Sequence, residues 1–468
     1  MTVAEYGTLG RMANEMANAT KNEMANPGGD RLERLYDALV GDDDARLCDE
    51  LPEEACREVP ANFFLYVAAL VLTKLGDAVA SPKTTLTFLL GGLGAPASLV
   101  ALLVPIRESG SMLPQIFTAG PIRRLAIRKW VWVAGSLAQA VAVAGIGVAA
   151  LTTTGTAAGW TILGAVALFA LSRSLSSVAS KDVKGKTIPK RRRGRASGLA
   201  ATVSGTLVLA AGLVLLLLRD DVGTAFYGWL LVATAGLWLV AAGLFSRIRE
   251  QPGATGGSGD ASARAAFGRL SLLARDPAFR RFVTARALLM STALAAPYYV
   301  LLARDRVGGR LSLLALLIVA GGLAQSSSSF VWGRWADRSS RRVLVAGGCL
   351  ASTLAVAVFA LTRTAAGSGL LDHPATWAAA FFVLGVGHSG VRLGRKTYVV
   401  DMAEGNRRTD YVAVSNTAIG LLLLASGALG PLVDVIGAAG MLLVLAVAGF
   451  AGSALGVGLP EVEAEGES

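Results

Sequence analysis

Long apolar runs separated by short polar connections fill the chain from about residue 60 onward. A helix needs roughly 20 consecutive apolar residues to cross the hydrocarbon core of a bilayer. Twelve runs approach that length, near 61–88, 93–118, 130–151, 157–179, 196–218, 223–246, 281–303, 311–332, 342–362, 375–395, 410–430 and 435–458. We number them spans 1 to 12. No segment shows the ten-residue alternation of a membrane β-strand. The pattern therefore predicts an all-α membrane protein of about twelve transmembrane helices. A Gly/Ser/Ala-rich stretch from Glu250 to Ala265 has the composition of a flexible linker and divides the spans six and six. The expected organisation is an N-terminal extension (1–60), a six-helix lobe (61–246), a linker (247–280), a second six-helix lobe (281–458) and a short tail (459–468).

Of the 468 residues, 16% are charged, against roughly 25% in soluble domains. The net charge of +11 is spread unevenly. Residues 1–60 hold 14 acids and 6 bases, and the last eight residues hold four glutamates, so the bundle itself is strongly basic. Its bases gather in every second connection: Arg123 to Lys129, Lys181 to Arg195, Arg247 to Arg281, Arg334 to Arg342 and Arg395 to Arg408. The alternate connections carry little charge apart from Arg304–Arg310. By the positive-inside rule this places the N and C termini in the cytoplasm, in a multi-pass protein of the inner membrane. The polar first sixty residues contain no signal peptide, so span 1 is expected to direct insertion. Within them Leu32, Leu35, Tyr36 and Leu39 form one stripe of a short amphipathic helix. It reads either as a solvated cap or as an arm docking on the basic loops.

The connection after span 8 runs Gly-Arg-Trp-Ala-Asp-Arg-Ser-Ser-Arg-Arg from Gly333 to Arg342. Gly333, Asp337, Arg338, Arg341 and Arg342 resemble the cytoplasmic loop motif of the major facilitator superfamily, with Ser340 in place of the motif's second glycine. The resemblance covers roughly residues 60–460. Lys-Leu-Gly-Asp at 74–77, Val-Pro-Ile-Arg-Glu-Ser-Gly-Ser at 104–111 and Arg-Lys-Thr-Tyr at 395–398 look like a group of bacterial permeases within it. It implies a two-lobed bundle working by alternating access, usually coupled to an ion gradient, and it implies no substrate. Internal duplication is expected of such a fold: Gly120, Arg128 and Lys129 stand against Gly333, Arg341 and Arg342. Gly185-Lys186-Thr187 against Arg395-Lys396-Thr397 is a weaker trace. Arg124 stands opposite Asp337, a departure from most proton-driven drug exporters. Asp337 is expected to meet a helix N-terminus or a neighbouring arginine, a contact able to gate the lobes.

Charges kept inside spans cost roughly 2.5–3.5 kcal/mol each on insertion scales, which makes them candidates for function. Span 1 carries Lys74 and Asp77, then Lys83 directly after Pro82. Span 2 carries Arg107 and Glu108 between Pro105 and Pro114, with Gln115 next to the second proline. Prolines so placed should kink or interrupt the helix. Irregular backbone at that depth is tolerated where it lines a cavity. A second group comprises Arg173 and Asp182 of span 4, Arg286 of span 7, and His388 and Arg392 one turn apart on span 10. Asp77 and Glu108 are the mid-span carboxylates of the first lobe. They read as proton-coupling or substrate groups, or alternatively as a static lock with the neighbouring bases. His388 could relay a proton or simply hydrogen-bond to another helix.

Other chemistry lacks its residues. Gly185-Lys186-Thr187 lacks the leading glycine that a phosphate-binding loop needs upstream of it. Two distant histidines make no metal centre, and the basic runs lack the interleaved aromatics of nucleic-acid binders. No enzyme activity, cofactor, metal or nucleic-acid partner is expected. Cys48, Cys56 and Cys349 match no zinc or redox spacing and read as ordinary thiols. The expected function is secondary active transport of a small-molecule substrate by a monomer in the lipid bilayer, driven by a proton gradient, by efflux or uptake. The competing reading is a non-transporting sensor or scaffold acting through its N-terminal arm.

Overall fold

The computed structural model describes residue 36 and residues 56–253, 269–402 and 407–462. Their regular structure is helical throughout, in twelve spans. Span 1 is Val59–Val79, resuming as Thr85–Gly92. Span 2 is Ala97–Met112, resuming as Gln115–Arg123. Spans 3 to 6 are Lys129–Thr152, Gly155–Thr187, Arg193–Leu217 and Thr224–Ser246. Span 7 comes in three pieces, Pro277–Leu289, Ser291–Leu294 and Ala296–Val307. Spans 8 to 12 are Leu311–Ala336, Ser340–Leu361, Pro374–Asp401, Arg407–Ser426 and Leu432–Val457. Ten of the twelve contain a helix long and apolar enough to cross a membrane; spans 2 and 10 do not. Span 2 is cut short by its break at Leu113–Pro114, and span 10 carries Arg392, Arg395, Lys396 and Asp401.

Proline explains the breaks unevenly. Span 1 unwinds over Ala80–Thr84, where Pro82 lacks a donor; the hydroxyl of Thr87 takes up the Pro82 carbonyl at 2.7 Å. Span 2 is interrupted at Leu113–Pro114, yet it runs straight through Pro105. There the Ser109 hydroxyl donates to the Pro105 carbonyl at 2.6 Å. Some boundaries differ from the sequence expectation, and span 4 continues to Thr187, which puts Lys181 and Asp182 in the helix. Span 10 continues to Asp401, so Arg395 and Lys396 lie in the helix, not in a connection. Span 8 continues to Ala336, which leaves only Asp337–Ser339 as a turn before span 9. Basic residues suit a helix C-terminus, so a run of them does not mark where a helix stops.

Small residues let helices touch. A methyl group on Gly147 would sit 2.6 Å from the Gly228 carbonyl, joining spans 3 and 6, and one on Gly347 would sit 2.6 Å from the Gly387 carbonyl, joining spans 9 and 10. Between lobes, Gly212 of span 5 meets Val319 of span 8, and Gly420 of span 11 meets Leu113 of span 2. Trp160, Trp229 and Phe330 point outward and are exposed, as lipid-facing side chains would be. Tyr36, the one described residue of the amphipathic stripe, is buried against Phe63 and Phe64 beneath the Arg192 guanidinium. The rest of that stripe lies outside the described residues. Cys56 is disulfide-bonded rather than an ordinary thiol, and Cys349 is free.

Candidate functional site

With twelve spans, residues 56 and 462 emerge on one face, called here the terminal face. The break in span 1 drops Lys83 between the lobes. Its Nζ lies 3.7 Å from Glu108 Oε1 of span 2 and 3.3 Å from His388 Nε2 of span 10. The Thr292 hydroxyl of span 7 donates to the Leu289 carbonyl at 3.0 Å, so it must accept from His388 Nδ1, also at 3.0 Å. That assignment leaves Nε2 with its lone pair toward Lys83. A carboxylate, an ammonium, a neutral imidazole and a hydroxyl thus form one chain from the first lobe to the second.

Beside this chain, Asp77 holds two arginines. Arg107 Nη2 lies 3.1 Å from Asp77 Oδ1, and Arg173 Nη2 lies 2.7 Å from Oδ2. Arg107 also lies over the Phe169 ring, 4.5 Å from its centroid, a cation–π contact. Asp77, Lys83 and Glu108 side chains are 22%, 25% and 29% exposed, so solvent reaches all three. A cavity of about 310 Å³ lies on the terminal-face side of the Lys83–His388 link, lined by Lys74, Gln325, Ser329, Trp332, Ser389, Arg392, Leu393 and Lys396. Of the expected residues, Lys74 and Arg392 line it.

Two expected residues lie away from this centre. Asp182 pairs with Arg128 at 3.1 Å, close to the terminal face. Gln115 donates to the Ser111 carbonyl one turn back at 2.7 Å, mending the break in span 2. Arg286 is buried and donates to Ser415 Oγ (2.6 Å) and Asn416 Oδ1 (2.9 Å) of span 11. The sequence reading missed Arg395, Lys396 and Thr292. The first two continue the His388–Arg392 face at helical spacing, and extending that stripe past the assumed helix end would have found them.

The loop motif is held differently from expectation. Asp337 is exposed and makes no ion pair or side-chain hydrogen bond among the described residues. The carboxylate at this point is Glu461, just past span 12. It takes Arg341 Nη2 at 2.6 Å, the Ser339 hydroxyl at 2.8 Å and Arg342 Nε at 3.5 Å. Gly333 lies within span 8, and Arg338 is exposed in the turn. In the first lobe Glu250, just past span 6, does the same: it accepts from the Arg128 and Lys129 backbone N–H groups at 2.7–3.0 Å and from Lys186 Nζ at 2.8 Å. Each lobe thus clamps the start of its third helix with a carboxylate from the end of its sixth. A carboxylate on exposed N–H groups at a helix N-terminus is electrostatically favoured.

The opposite face is closed by four inter-lobe hydrogen bonds, one of them from the Leu311 N–H to the Asp220 carbonyl at 3.4 Å. Arg304 Nη1 donates to the Phe88 carbonyl (2.7 Å), the Ser312 N–H to Asp220 Oδ1 (2.8 Å) and the Ser98 N–H to Asp434 Oδ1 (3.3 Å). Behind them Phe88, Tyr227, Tyr299 and Leu301 pack into one apolar core. Hydrogen bonding from Ser312, its side chain first and its backbone second, holds the Asp220 carboxyl below its ordinary range. A depressed carboxylate pKa stabilises the folded contact above the free value of about 3.9 and loses that contribution as pH falls through the lowered value. Hydrogen exchange at the Leu311 and Ser312 amides, corrected for its intrinsic pH dependence, is therefore expected to stay constant from pH 5 to 8. Asp220→Asn should speed it throughout that range. Protection already lost between pH 8 and 6 in the wild type would assign control of this seal to another group.

Residues 287–467 match the family model described as Major Facilitator Superfamily. No curated protein matches the sequence. Among solved structures the chain is similar to a D-xylose–proton symporter, with TM-score 0.64, 13% identity, and 86% of this chain and 98% of that one covered. It is also similar to an inward-open form of the xylose transporter XylE from E. coli, with TM-score 0.60, 12% identity, and 85% and 96% covered. A mutant form of the nucleoside transporter NupG gives TM-score 0.58 and 13% identity, with 84% and 99% covered. At such identities the likeness concerns the fold.

Proposed function

We propose that this chain, whose residues 287–467 match the Major Facilitator Superfamily model, is a proton-coupled secondary transporter of a small solute. The reading takes the terminal face as cytoplasmic, the membrane as the inner membrane and the working unit as the monomer. The observation that carries it is the Glu108–Lys83–His388–Thr292 chain, which ties the two lobes together next to the cavity-lining Ser389 and Arg392.

Such a link suits alternating access. Closing the terminal face requires the lobes to rock about this level, and the Lys83–His388 contact is the polar joint at their interface. Glu108 is the proton-accepting group. Facing it are Lys83 from span 1, its own neighbour Arg107, and Arg392 and Arg395 from span 10, with His388 beyond Lys83. A proton on Glu108 removes the counter-charge of Lys83 and loosens the joint; its loss restores the pair. Binding of proton and substrate are then linked through one equilibrium, and each changes the other's affinity by the same factor.

Transport is tested in proteoliposomes containing a pH-sensitive dye, with an imposed pH gradient and a panel of neutral, anionic and cationic metabolites. Solute-dependent proton flux on addition of one class supports the reading. Proton flux indifferent to every solute, with the purified protein intact, would return the chain to the sensor or scaffold class.

A further inference from the structure

The charges around the cavity do not balance, and the imbalance lies on one wall. In the first lobe each carboxylate has its cations: Asp77 takes Arg107 and Arg173, and Glu108 takes Lys83. The second lobe presents Arg286, Arg392, Arg395 and Lys396, and none of the four forms an ion pair among the described residues. The charges acting on Lys396 are Arg392, Arg395 and Arg286, all positive. On Arg286 the acting charge is Arg395, again positive. Glu108 is the carboxylate that reaches Arg392 and Arg395 through space, and it is already held by Lys83.

These cations are also short of hydrogen-bond acceptors. Buried Nε atoms of both Arg286 and Arg395 lack a partner among the described residues. Arg395 Nη1 faces the Met290 sulfur at 3.0 Å, a weak acceptor. Neither Arg392 nor Lys396 makes a side-chain hydrogen bond there. Buried guanidinium Nε–H groups left without acceptors and crowded by like charge are costly. A fold with no ligand to meet would gain by replacing them.

Resting on the transporter reading, we propose that the cavity binds a small oxyanion, a compound whose carboxylate or phosphate group is held by Arg392, Lys396 and Lys74. Arg392 and Lys396 lie one turn apart on one face of span 10, and Lys74 faces them from span 1, all three on the cavity wall. A guanidinium offers paired donors that match a carboxylate or phosphate. Gln325, Ser329 and Ser389 add neutral donors around the same space, and Trp332 supplies an apolar side. About 310 Å³ is at the small end for ligand pockets and suits a compact metabolite rather than a lipid or a long peptide. Glu108 is the internal anion that competes for these cations, so protonating it strengthens binding of the external one. That sign makes the reaction a co-transport of proton and anion.

The test uses the purified full-length protein, with intrinsic tryptophan fluorescence and thermal unfolding as readouts. Inorganic phosphate and succinate are titrated at fixed ionic strength, against xylose and choline as neutral and cationic controls. Saturable binding of phosphate or succinate at least tenfold tighter than either control is expected, strengthening as pH falls from 8 to 6. Arg392→Gln and, separately, Lys74→Gln should each weaken it tenfold or more while the elution profile is unchanged. Arg392→Lys should retain part of it. No saturable effect of either anion, or equal binding by the Arg392→Gln and Lys74→Gln proteins, overturns the oxyanion site. The two ideas fail separately. A proteoliposome that moves a neutral or cationic solute with protons while neither anion binds leaves transport standing and removes the oxyanion. Saturable anion binding without solute-dependent proton flux does the reverse.

Discussion

Asp77→Asn is expected to abolish transport and to destabilise the folded protein, both from one cause. Asp77 is the shared counter-ion of Arg107 and Arg173, at 3.1 and 2.7 Å. Removing one member of an enclosed ion pair costs about 3–5 kcal/mol, because the partner is left charged and unpaired. Asp77 is 22% exposed, so solvent screens part of that loss and about 3 kcal/mol is the better figure. Thermal unfolding in detergent should show a clear fall in midpoint. A second substitution separates a structural lock from a working group. Adding Arg173→Gln removes one of the stranded charges and should recover part of the stability. If transport returns together with stability, Asp77 is only a lock. Stability regained with transport still absent places Asp77 in the transport cycle.

The second large effect is expected at Glu108. Glu108→Gln keeps the shape of the side chain and removes its titration, so the fold should persist. Accumulation driven by a pH gradient should fall by about 5–150-fold, the usual span of coupling between linked sites. Counterflow, in which labelled and unlabelled substrate exchange without net proton movement, should continue at a rate independent of pH. The balance of charge explains the difference: a neutral amide in this place would leave Lys83 without its partner in every state, as a permanently protonated Glu108 would. Wild-type pH dependence of uptake in this variant would move the coupling group elsewhere, with Asp77 the next candidate.

The broken helices could be read in advance because their cause is local. Pro82 and Pro114 remove backbone donors wherever they stand, and breaks appear beside both. Pro105 shows the limit of that reasoning, since the helix continues through it. Arg395 and Lys396 show another limit. In sequence they are indistinguishable from a topogenic loop, yet span 10 carries them into the protein. The carboxylate of the loop motif was sought next to the arginines, at Asp337. The partner is Glu461, some 120 residues away, and its counterpart Glu250 reveals the duplicated design more fully than Arg124 and Asp337 did.

Read alone, the chain determined its number of spans, its division into two lobes and the stranding of ionisable groups at depth. Hydrophobic length and proline chemistry act on neighbouring residues, and they need no partner to be effective. Which charges meet was decided only by the tertiary structure. Lys83 and His388 are 305 residues apart, and their contact follows from how two lobes pack, a property no window along the chain contains. The unbalanced cations of span 10 belong to the same class. A positive charge is written in the sequence, whereas the absence of a counter-charge is a fact about everything folded around it.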